Sequence, residues 1–565
     1  MGEHVEIFEH PIKPEFLVQE GPKLRLPENR TIIIEGFPMG TFPMDKEASG
    51  TFLSIAGGFI APEHALSSVL SHDKHYAGAA FEGVRIYDSP LGTGFLNLTH
   101  NIARLLLSFT GIDASTSQIL LEAASEDSIT VPRRSDREMF RQVKLSMYNN
   151  KEPELWFTKS DGQIVSWPWR LSAVSPGGVK EYTVFELDAV IKALAFINGL
   201  VPIGVYPEGL VMSESGYFRP HLWIDSSGGL GVPTIYRDPI TKELKIKPCA
   251  WSVSTLPWGK YLADEAYKKG IDAVIGPFER LGLDFFTDRK IAAHYINSLM
   301  NINVGVILGF GEIVALTRTG KAVEGSAENL FVIFKNDDGT YDCYTPPVGD
   351  GPLAGTTRLR MLRTLEKLQS QGIIKNIVYK SLPPEELPKA EAVFFTGTGA
   401  QIIHLRSICK IPELEQYVSA MRVRSEDDPN GESVTIPKLS EKSKVTQLIN
   451  GGKKAEIMDI LTNAYVTHVL DVNNKMFEPV YMIHDIDALA TALGLDPKDI
   501  ISRAEIKTAA AGYLRDVFDT RKGNGAKEIE ERTRFVANIL ARALQAKARQ
   551  HRICNIKLRR AQVRA

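Results

Sequence analysis

The feature that most constrains the fold is the stretch from Lys290 to Ser407, where helical and strand-like segments alternate. Turn signals separate these segments, among them Asn336-Asp-Asp-Gly and Gly349-Asp-Gly-Pro, because Gly, Pro and Asn supply the backbone conformations that tight turns need. Alternation of helices with short apolar strands is typical of domains in which helices cover a sheet. We therefore expect an α/β (α+β) fold.

The region before this stretch also has strand character. From Thr51 the runs FLSIAGGFI and HYAGAAFEGVRIY are short, apolar and separated by Gly and Pro. A third run becomes helical near Asn101, where Ile102 and Leu105 share one face. A helix is predicted from Phe185, and strands are predicted for YFRPHLWI and CAWSVSTL.

The length of 565 residues predicts roughly three to four domains. We expect a lead-in over 1–50, a small α/β domain over 51–262, a large domain over 263–470 and a mostly helical, basic C-terminal extension over 471–565. Polar residues with little periodicity indicate an insertion at about 112–182 within the small domain. A charged stretch indicates a second insertion, at about 410–446, within the large domain.

The nearly neutral charge balance argues against a protein that binds nucleic acid through its overall positive charge. Lys and Arg number 66 against 68 Asp and Glu, a net charge of -2. The exception is the tail after Glu531, which has ten Lys and Arg and no acidic residue. A nucleic acid or another acidic partner would fit this tail, but a solvated helix face is the simpler interpretation.

The cysteines and the apolar segments bear on compartment. Cys249, Cys343, Cys409 and Cys554 lie far apart without a CxxC pair, which argues against a disulfide framework and a thiolate zinc site. The first residues are acidic and lack the apolar core of a secretion signal. The most apolar stretch, 304–316, is too short to span a bilayer. We expect a cytoplasmic protein without a membrane or metal partner.

Lys290 alone is an ordinary lysine near the start of an amphipathic helix, but its neighbours change this interpretation. A Glu-Gly turn and a strand, VEGSAENLFVIF, begin about 34 residues later. TPPVGDGPLAGTTRLRML is a Pro/Gly loop that enters a helix, and VFFTGTGAQI is a strand that ends in Gly-Thr-Gly. Hydroxyl and backbone N–H groups on such loops bind phosphate. Two such loops together with a Lys and a Glu indicate a phosphorylated cofactor.

Eight motifs in this order resemble those of the branched-chain amino acid aminotransferases: HYAGAAFEGVRIY, HNIARL, YFRP, PWGKYL, KIAAHYINSLM, EGSAENLF, GPLAGTTR and FFTGTGA. These enzymes are class IV aminotransferases, of the fold type IV group that uses pyridoxal 5′-phosphate. The resemblance extends from about Thr51 to Val466, apart from the insertions. It implies a two-domain enzyme that transaminates leucine, isoleucine or valine with 2-oxoglutarate by a ping-pong mechanism.

The resemblance also implies roles around the cofactor. Lys290 matches the catalytic lysine, which bonds to the cofactor aldehyde and moves a proton between the substrate and the cofactor. Glu324 matches the partner of the pyridine nitrogen; Glu328 competes for this role, and the Glu-Gly context favours Glu324. The other expected cofactor ligands are Arg104, Thr356, Thr357, Gly397 and Thr398 at the phosphate, Tyr295 at O3′ and Leu353 against the ring.

On the substrate side the matching residues are Tyr76, Phe81, Tyr217, Arg219, Val232, Tyr261 and Gly399. In the family an arginine backed by tyrosines binds the carboxylate of glutamate within a pocket that also takes apolar side chains. Residues matching Tyr76 and Val232 reach across a dimer interface there, which implies a homodimer.

Departures and alternatives remain. Ala354-Gly-Thr-Thr-Arg358 replaces a Pro-Gly-Ile/Val-Thr-Arg that is common in the family, but keeps the loop glycine and threonine. A D-amino acid aminotransferase and an aminodeoxychorismate lyase share the fold, the Lys and the Glu, although Tyr217-x-Arg219 and PWGKYL favour the branched-chain group. A non-catalytic binding protein acting through its basic tail is the alternative of another class, and the intact set of Lys290, Glu324 and Arg104 argues against it.

Overall fold

The computed structural model describes most of residues 51–109, 154–197, 213–282, 285–414 and 444–469, and short strands at 33–34, 37–38, 129–130 and 477–479. The strands of its first half are β1 Ile33–Ile34, β2 Phe37–Pro38, β3 Thr51–Leu53, β4 Gly58–Ile60, β5 Ala79–Phe81, β6 Val84–Ser89, β7 Gly92–Leu96, β8 Ile129–Thr130, β9 Glu154–Lys159, β10 Ile164–Pro168, β11 Arg170–Ser175, β12 Gly178–Thr183, β13 Ser213–Ile224, β14 Ile235–Arg237, β15 Leu244–Ile246 and β16 Cys249–Leu256.

The strands of its second half are β17 Ile271–Ile275, β18 Glu312–Leu316, β19 Ala322–Glu324, β20 Asn329–Lys335, β21 Tyr341–Thr345, β22 Ile374–Tyr379, β23 Ala392–Gly397, β24 Gln401–Lys410, β25 Val445–Leu448 and β26 Phe477–Pro479. The helices are α1 His72–Tyr76, α2 Leu98–Phe109, α3 Val184–Ile197, α4 Asp264–Lys269, α5 Tyr295–Ile307, α6 Thr356–Ser370 and α7 Glu456–Val469.

The first large sheet is antiparallel, with the described strands in the order β26-β7-β6-β13-β16-β3-β4 and β5 paired to β13. The long strand β13 pairs with β16, and in addition it pairs with β6 over 213–218 and then with β5 over 221–223. Arg219 lies where the pairing passes from one partner to the other. Helix α2 packs against β5 and α3, and nearly all of its side chains are buried, including the polar Arg104 and Ser108.

The second large sheet is mixed, with the described strands in the order β19-β18-β17-β24-β23-β20-β21-β22 and β25 paired to β24. Strand β17 is parallel to β18 and β24, and β21 is parallel to β22. Along β20, Phe331 and Ile333 join the core beneath α6 and α7, whereas Leu330 and Val332 join the core on the opposite face. The sheet is therefore buried on both faces, and its side-chain alternation follows the strand period of two. The predicted boundary near residue 262 falls between the two sheets.

The predicted insertion at about 112–182 contains regular structure in its second half. Strands β9 and β10 form an antiparallel hairpin, and β11 and β12 form another. The first hairpin turns at Asp161-Gly162, where Gly162 has a φ of 85° and Asp161 accepts the N–H of Gln163 at 2.8 Å. An Asp-Gly pair between strand-like runs is a strong hairpin signal that the composition of this region obscured.

Two smaller expectations need correction. The helix expected at Lys290 begins at Tyr295, after an extended residue and a short 3-10 turn at 292–294. The extension predicted from 471 contributes β26, which pairs with β7 and so adds a strand to the first sheet. The predicted helices of the extension, its basic tail and most of the 410–446 insertion lie outside the described residues. Within the described part, no helix is both long and apolar enough to cross a membrane.

Candidate active site

A cavity of about 230 Å³ brings together most of the residues singled out in the sequence. Residues of the first half that line it are Phe81, Gly83, Arg104, Tyr217 and Arg219. Those of the second half are Tyr261, Lys290, Tyr295, Ala327, Glu328, Asn329, Leu353, Gly355, Thr356, Thr357 and the loop 396–399.

Lys290 is fixed through its backbone, and its side chain reaches the cavity. Its N–H donates to Ser108 Oγ at 2.8 Å, and its carbonyl accepts from the N–H of Phe81 at 3.2 Å. The Nζ atom donates to the Tyr295 hydroxyl and lies 4.9 Å from the centre of the Phe81 ring. Burial lowers the pKa of Lys290 from 10.5 to about 8, and the charge of Arg104 acts in the same direction. About a tenth of the amine is therefore unprotonated at pH 7.

Tyr295 contacts the Lys290 amine through its hydroxyl. Its ring centre lies 4.8 Å from that of Phe81, at an interplanar angle of 59°. Burial raises the pKa of Tyr295 above its ordinary value, so the hydroxyl keeps its proton over the physiological range. A neutral phenol can accept from the amine and still donate its own proton to a second oxygen.

The N-terminus of α6 forms an anion site. Thr356 and Thr357 lie in its first turn after Gly355, and the first N–H groups of a helix have no acceptor within it and lie at the positive end of its dipole. Thr356 Oγ1 is buried and has no hydrogen-bond partner among the described residues. A Cβ atom on Gly355 would lie 1.9 Å from Asn329 Oδ1, so only glycine fits there. This cluster of donors without acceptors suits a phosphate.

Arg104 extends from α2 to line the same cavity. Its Nε and Nη2 atoms donate to the carboxylate of Glu82 at 2.5 and 2.8 Å, and Nη1 donates to the Ala354 carbonyl at 3.0 Å. Burial alone would lower the pKa of Arg104, but the charge and hydrogen bonds of Glu82 raise it above its ordinary value. The side chain therefore remains a cation. Of the guanidinium's five N–H donors, two are left for an anion.

Glu324 lies behind the cavity wall and is not part of its lining. Arg280 forms an ion pair with its Oε1 atom, and the N–H of Leu353 donates to Oε2 at 2.9 Å. Burial raises the pKa of Glu324, and the charge of Arg280 opposes this rise. Glu328, by contrast, lines the cavity and is hydrogen-bonded to another carboxylate, Glu312. The preference for Glu324 at the pyridine nitrogen stays a prediction.

The second predicted loop, 396–399, joins β23 to β24 and lines the cavity. Gln401 follows shortly after it with a φ of 56°, a left-handed conformation that is uncommon for this residue type. Its amide nitrogen donates to the Thr398 carbonyl at 3.0 Å and to the Tyr87 hydroxyl, and its amide oxygen accepts from Tyr465 at 3.3 Å. Gln401 thereby ties the loop to β6 in the first sheet and to α7.

Arg219 also lines the cavity. Its guanidinium carbon lies 4.4 Å from the centre of the Phe81 ring, and Nη1 donates to the Tyr217 hydroxyl at 3.5 Å. Tyr217 packs so closely on Gly83 that a Cβ atom there would lie 1.8 Å from the phenol oxygen. Burial raises the pKa of Tyr261, so this phenol also keeps its proton. A cation flanked by aromatic rings can bind a carboxylate beside apolar surface.

Three predicted site residues lie outside the cavity. Glu324 is described above; Tyr76 and Val232 lie on the surface with 42% and 68% of their area exposed. The role predicted for Tyr76 and Val232, in the pocket of a partner subunit, stays a prediction.

The sequence analysis does not identify every residue around the site, and Glu82, Arg280, Glu312 and Gln401 are among those it misses. Glu82 lies within the motif HYAGAAFEGVRIY. It could have been identified as the partner that a buried Arg104 needs. Gln401 stands within VFFTGTGAQI, but its own role there is not predicted, and Arg280 and Glu312 lie in segments whose local pattern shows no sign of the site. The described residues contain no group of three or more His, Cys, Asp or Glu placed to hold a metal ion.

The chain is similar to known proteins over the part that carries most of these residues. Residues 213–408 match the family described as class IV amino-transferases. This stretch of the chain is similar to the class IV amino-transferases. This confirms the resemblance found in the sequence and the α/β fold expected from it.

The curated relatives of the chain are named branched-chain-amino-acid aminotransferases. The chain is 25% identical over 354 residues to the branched-chain-amino-acid aminotransferase of Pseudomonas aeruginosa, covering 62% of this chain and 83% of the relative. It is 31% identical over 196 residues to the Escherichia coli K12 enzyme of the same name, covering 34% of this chain and 57% of the relative. The chain thus matches only about half the length of the E. coli enzyme.

The chain also resembles solved structures of branched-chain aminotransferases. The branched-chain aminotransferase of the archaeon Thermoproteus uzoniensis, solved with norvaline, has a TM-score of 0.46 and 21% identity, covering 77% of this chain and 100% of that one. The E. coli branched-chain enzyme has a TM-score of 0.45 and 20% identity, covering 77% of this chain and 99% of that one.

Pyridoxal 5′-phosphate is the cofactor of class IV aminotransferases, and the cavity fits it. Lys290 supplies an amine for its aldehyde, and Arg104 with the first turn of α6 supplies donors for its phosphate. The unpartnered hydroxyl of Thr356 is the observation that decides the fit, because an unbonded buried hydroxyl is costly until an acceptor reaches it.

Proposed function

We propose that the protein is a branched-chain amino acid aminotransferase that moves the amino group of leucine, isoleucine or valine to 2-oxoglutarate in a ping-pong mechanism. The observation that carries the proposal is Lys290, a partly unprotonated amine in one cavity with an anion site at α6 and the cation of Arg219. The names of the P. aeruginosa and E. coli relatives support the substrate class.

The residues of the cavity have different roles in the proposed reaction. When bound, pyridoxal 5′-phosphate supplies the electron-withdrawing ring that makes the substrate Cα acidic. Lys290 Nζ, in its neutral form, would accept the Cα proton and deliver it to the cofactor. Tyr295 orients that amine through its hydroxyl, and Arg104 and Thr356 hold the phosphate.

The same pocket has to accept two kinds of substrate side chain. Phe81 and the phenol rings of Tyr217 and Tyr261 offer apolar surface to a branched aliphatic chain. Arg219, which stacks on Phe81, offers a guanidinium to the second carboxylate of glutamate or 2-oxoglutarate. Both types therefore fit without a second site.

A homodimer is part of the proposal. On α5 the side chains of Ile296, Leu299, Met300, Val306 and Ile307 are between 42% and 82% exposed and share one face. Exposed apolar patches of this kind mark interfaces. A second copy of the chain is the partner that would also bring Tyr76 and Val232 to a pocket.

The dimer is tested by light scattering of Leu299→Glu. We expect monomers and loss of transamination, while Ile240→Glu, on a residue that is 88% exposed elsewhere, stays dimeric. A dimer that survives in Leu299→Glu would rule out this interface.

The activity is tested by the absorbance spectrum of the purified protein. Leucine should convert the visible band of bound pyridoxal phosphate to the pyridoxamine form, and 2-oxoglutarate should restore it. Lys290→Ala should abolish both changes, whereas Lys321→Ala, on an exposed turn, should leave them intact. A response to D-alanine but not to leucine would instead identify a D-specific enzyme. Absence of any band after adding pyridoxal phosphate would refute catalysis.

A further inference from the structure

Two buried carboxylates meet at the cavity wall and have no role in the proposed reaction. Glu312 begins β18 and Glu328 precedes β20, and they are only 7% and 6% exposed. Their side chains are hydrogen-bonded to each other, and Glu328 lines the cavity. Two carboxylates in such contact cannot both be ionised at low cost, so one of them carries a proton.

The surrounding donors decide which carboxylate carries it. Glu312 accepts from the N–H of Ile313 at 2.7 Å, from the N–H of Ser326 at 3.1 Å and from Ser326 Oγ at 2.9 Å. The Glu328 carboxyl accepts from the N–H of Ala327, at 3.1 Å. Because donors stabilise the anion, Glu312 keeps the charge and Glu328 the proton. In agreement, burial and then the charge of Glu312 raise the pKa of Glu328 well above its ordinary value.

Glu328 is also confined. A Cβ atom on Gly397 would lie 3.0 Å from its Cγ atom, and one on Gly325 would lie 3.3 Å from its Oε2 atom. Both glycines therefore leave the space that the Glu328 side chain occupies beside the backbone, and a larger residue at either position would press on it.

The other charged and titratable groups near the pair belong to the cavity. The charge of Lys290 lowers the pKa of Glu328, and the charges of Glu328 and Glu312 raise the pKa of Tyr261. Tyr217 also raises the pKa of Tyr261, whereas the charge of Arg219 lowers it.

We propose that Glu328 and Glu312 share one proton, that Glu328 thereby faces the substrate as a neutral carboxylic acid, and that this pair determines whether the pocket accepts a substrate with a second carboxylate. The inference rests on the proposed function. Ionisation of Glu328 would add a negative charge to the wall that receives the side-chain carboxylate of 2-oxoglutarate. A branched aliphatic side chain carries no charge and is affected far less.

The test uses two unreactive ligands of the cofactor-loaded enzyme, glutarate and 4-methylvalerate. Both have one carboxylate; the other end of the molecule is a second carboxylate in glutarate and a pair of methyl groups in 4-methylvalerate. Dissociation constants are measured from pH 6 to pH 9.5 by calorimetry, and their ratio is followed. Both ligands share one carboxylate, so a titration that affects only the binding of that group cancels in the ratio.

In the wild type we expect glutarate to weaken relative to 4-methylvalerate by roughly tenfold as Glu328 loses its proton with rising pH. In Glu312→Gln this change moves to lower pH, because removal of the neighbouring charge lowers the pKa of Glu328. In Glu328→Gln and in the double variant it disappears. Glu385→Gln, an exposed control, follows the wild type. A ratio independent of pH in the wild type, or unshifted in Glu312→Gln, would overturn the inference.

Infrared difference spectra give a reading that needs neither turnover nor a stable Glu312 variant. A protonated carboxyl band should be present at pH 7 in the wild type and missing in Glu328→Gln; its absence from the wild type would overturn the inference. Failure of the proposed aminotransferase would appear differently, as loss of leucine turnover with this band retained.

Discussion

Replacement of Lys290 by Met should stabilise the cofactor-free protein at neutral pH while abolishing its activity. In the folded chain the pKa of Lys290 falls from 10.5 to about 8, chiefly through burial. Below pH 8 the amine is charged in both the folded and the unfolded state, and its burial in the folded state is then a cost. Met has nearly the same length and no charge to bury.

The magnitude follows from the same pKa. At about 1.4 kcal/mol for each tenfold change in proton affinity, the charged amine lowers the free energy of unfolding by roughly 3 kcal/mol at pH 7. Met also gives up the hydrogen bond to the Tyr295 hydroxyl, worth about 1 kcal/mol. The net gain for Lys290→Met is therefore about 2 kcal/mol at pH 7.

The sign of the effect changes with pH. Between pH 8 and 10.5 the folded state has lost its proton and the unfolded state still binds one, so the wild type gains stability as the pH rises. Above this window only the lost hydrogen bond remains, and Lys290→Met should be the less stable protein by about 1 kcal/mol.

Urea unfolding of both proteins from pH 7 to pH 10.5, with the exposed Lys321→Met as control, measures this crossing. A difference between wild type and Lys290→Met that stays constant with pH would refute the reasoning, since it would mean that the amine is not desolvated in the folded chain. The control should show no pH-dependent difference.

Three further predictions concern the site. Arg219→Ala should slow the half-reaction with glutamate at least tenfold more than that with leucine; equal losses in single-turnover kinetics would remove Arg219 from carboxylate binding. Glu324→Gln should reduce kcat by roughly a hundredfold and Glu328→Gln much less, and the opposite order in steady-state assays would exchange their roles. Gly355→Ala should destroy the affinity for pyridoxal phosphate, because its Cβ atom would lie 1.9 Å from Asn329 Oδ1; an unchanged titration with the cofactor would show that the α6 anion site is not used.

The sequence predicts the parts of this fold that have a strong local pattern. β13, β16 and α3 each carry a continuous pattern over eight residues or more, and the predicted segments YFRPHLWI, CAWSVSTL and the helix from Phe185 fall within them. The hairpins within 154–183 were missed because a polar, Pro-containing setting outweighed the Asp161-Gly162 turn.

The site shows a different limit. The residue types around Lys290 could be matched to a known pattern, and most of the matched residues line one cavity. What holds them could not be predicted, because the contacts are non-local. The Ser108 hydroxyl that fixes the Lys290 backbone is 182 residues away in the chain, and Ala354, which fixes Arg104, is 250 residues away. Neither leaves a periodic signal in the sequence.

Strand β26 has a consequence for any shortened form of the protein. Phe477–Pro479 covers the outer side of β7, with Pro479 opposite Gly94. A chain that stops at residue 470, the predicted end of the large domain, would leave the hydrogen-bonding groups of β7 open to pairing with another molecule. We expect such a chain to aggregate, whereas one that continues to residue 480 keeps this edge closed by a strand whose proline has no N–H to offer a further partner.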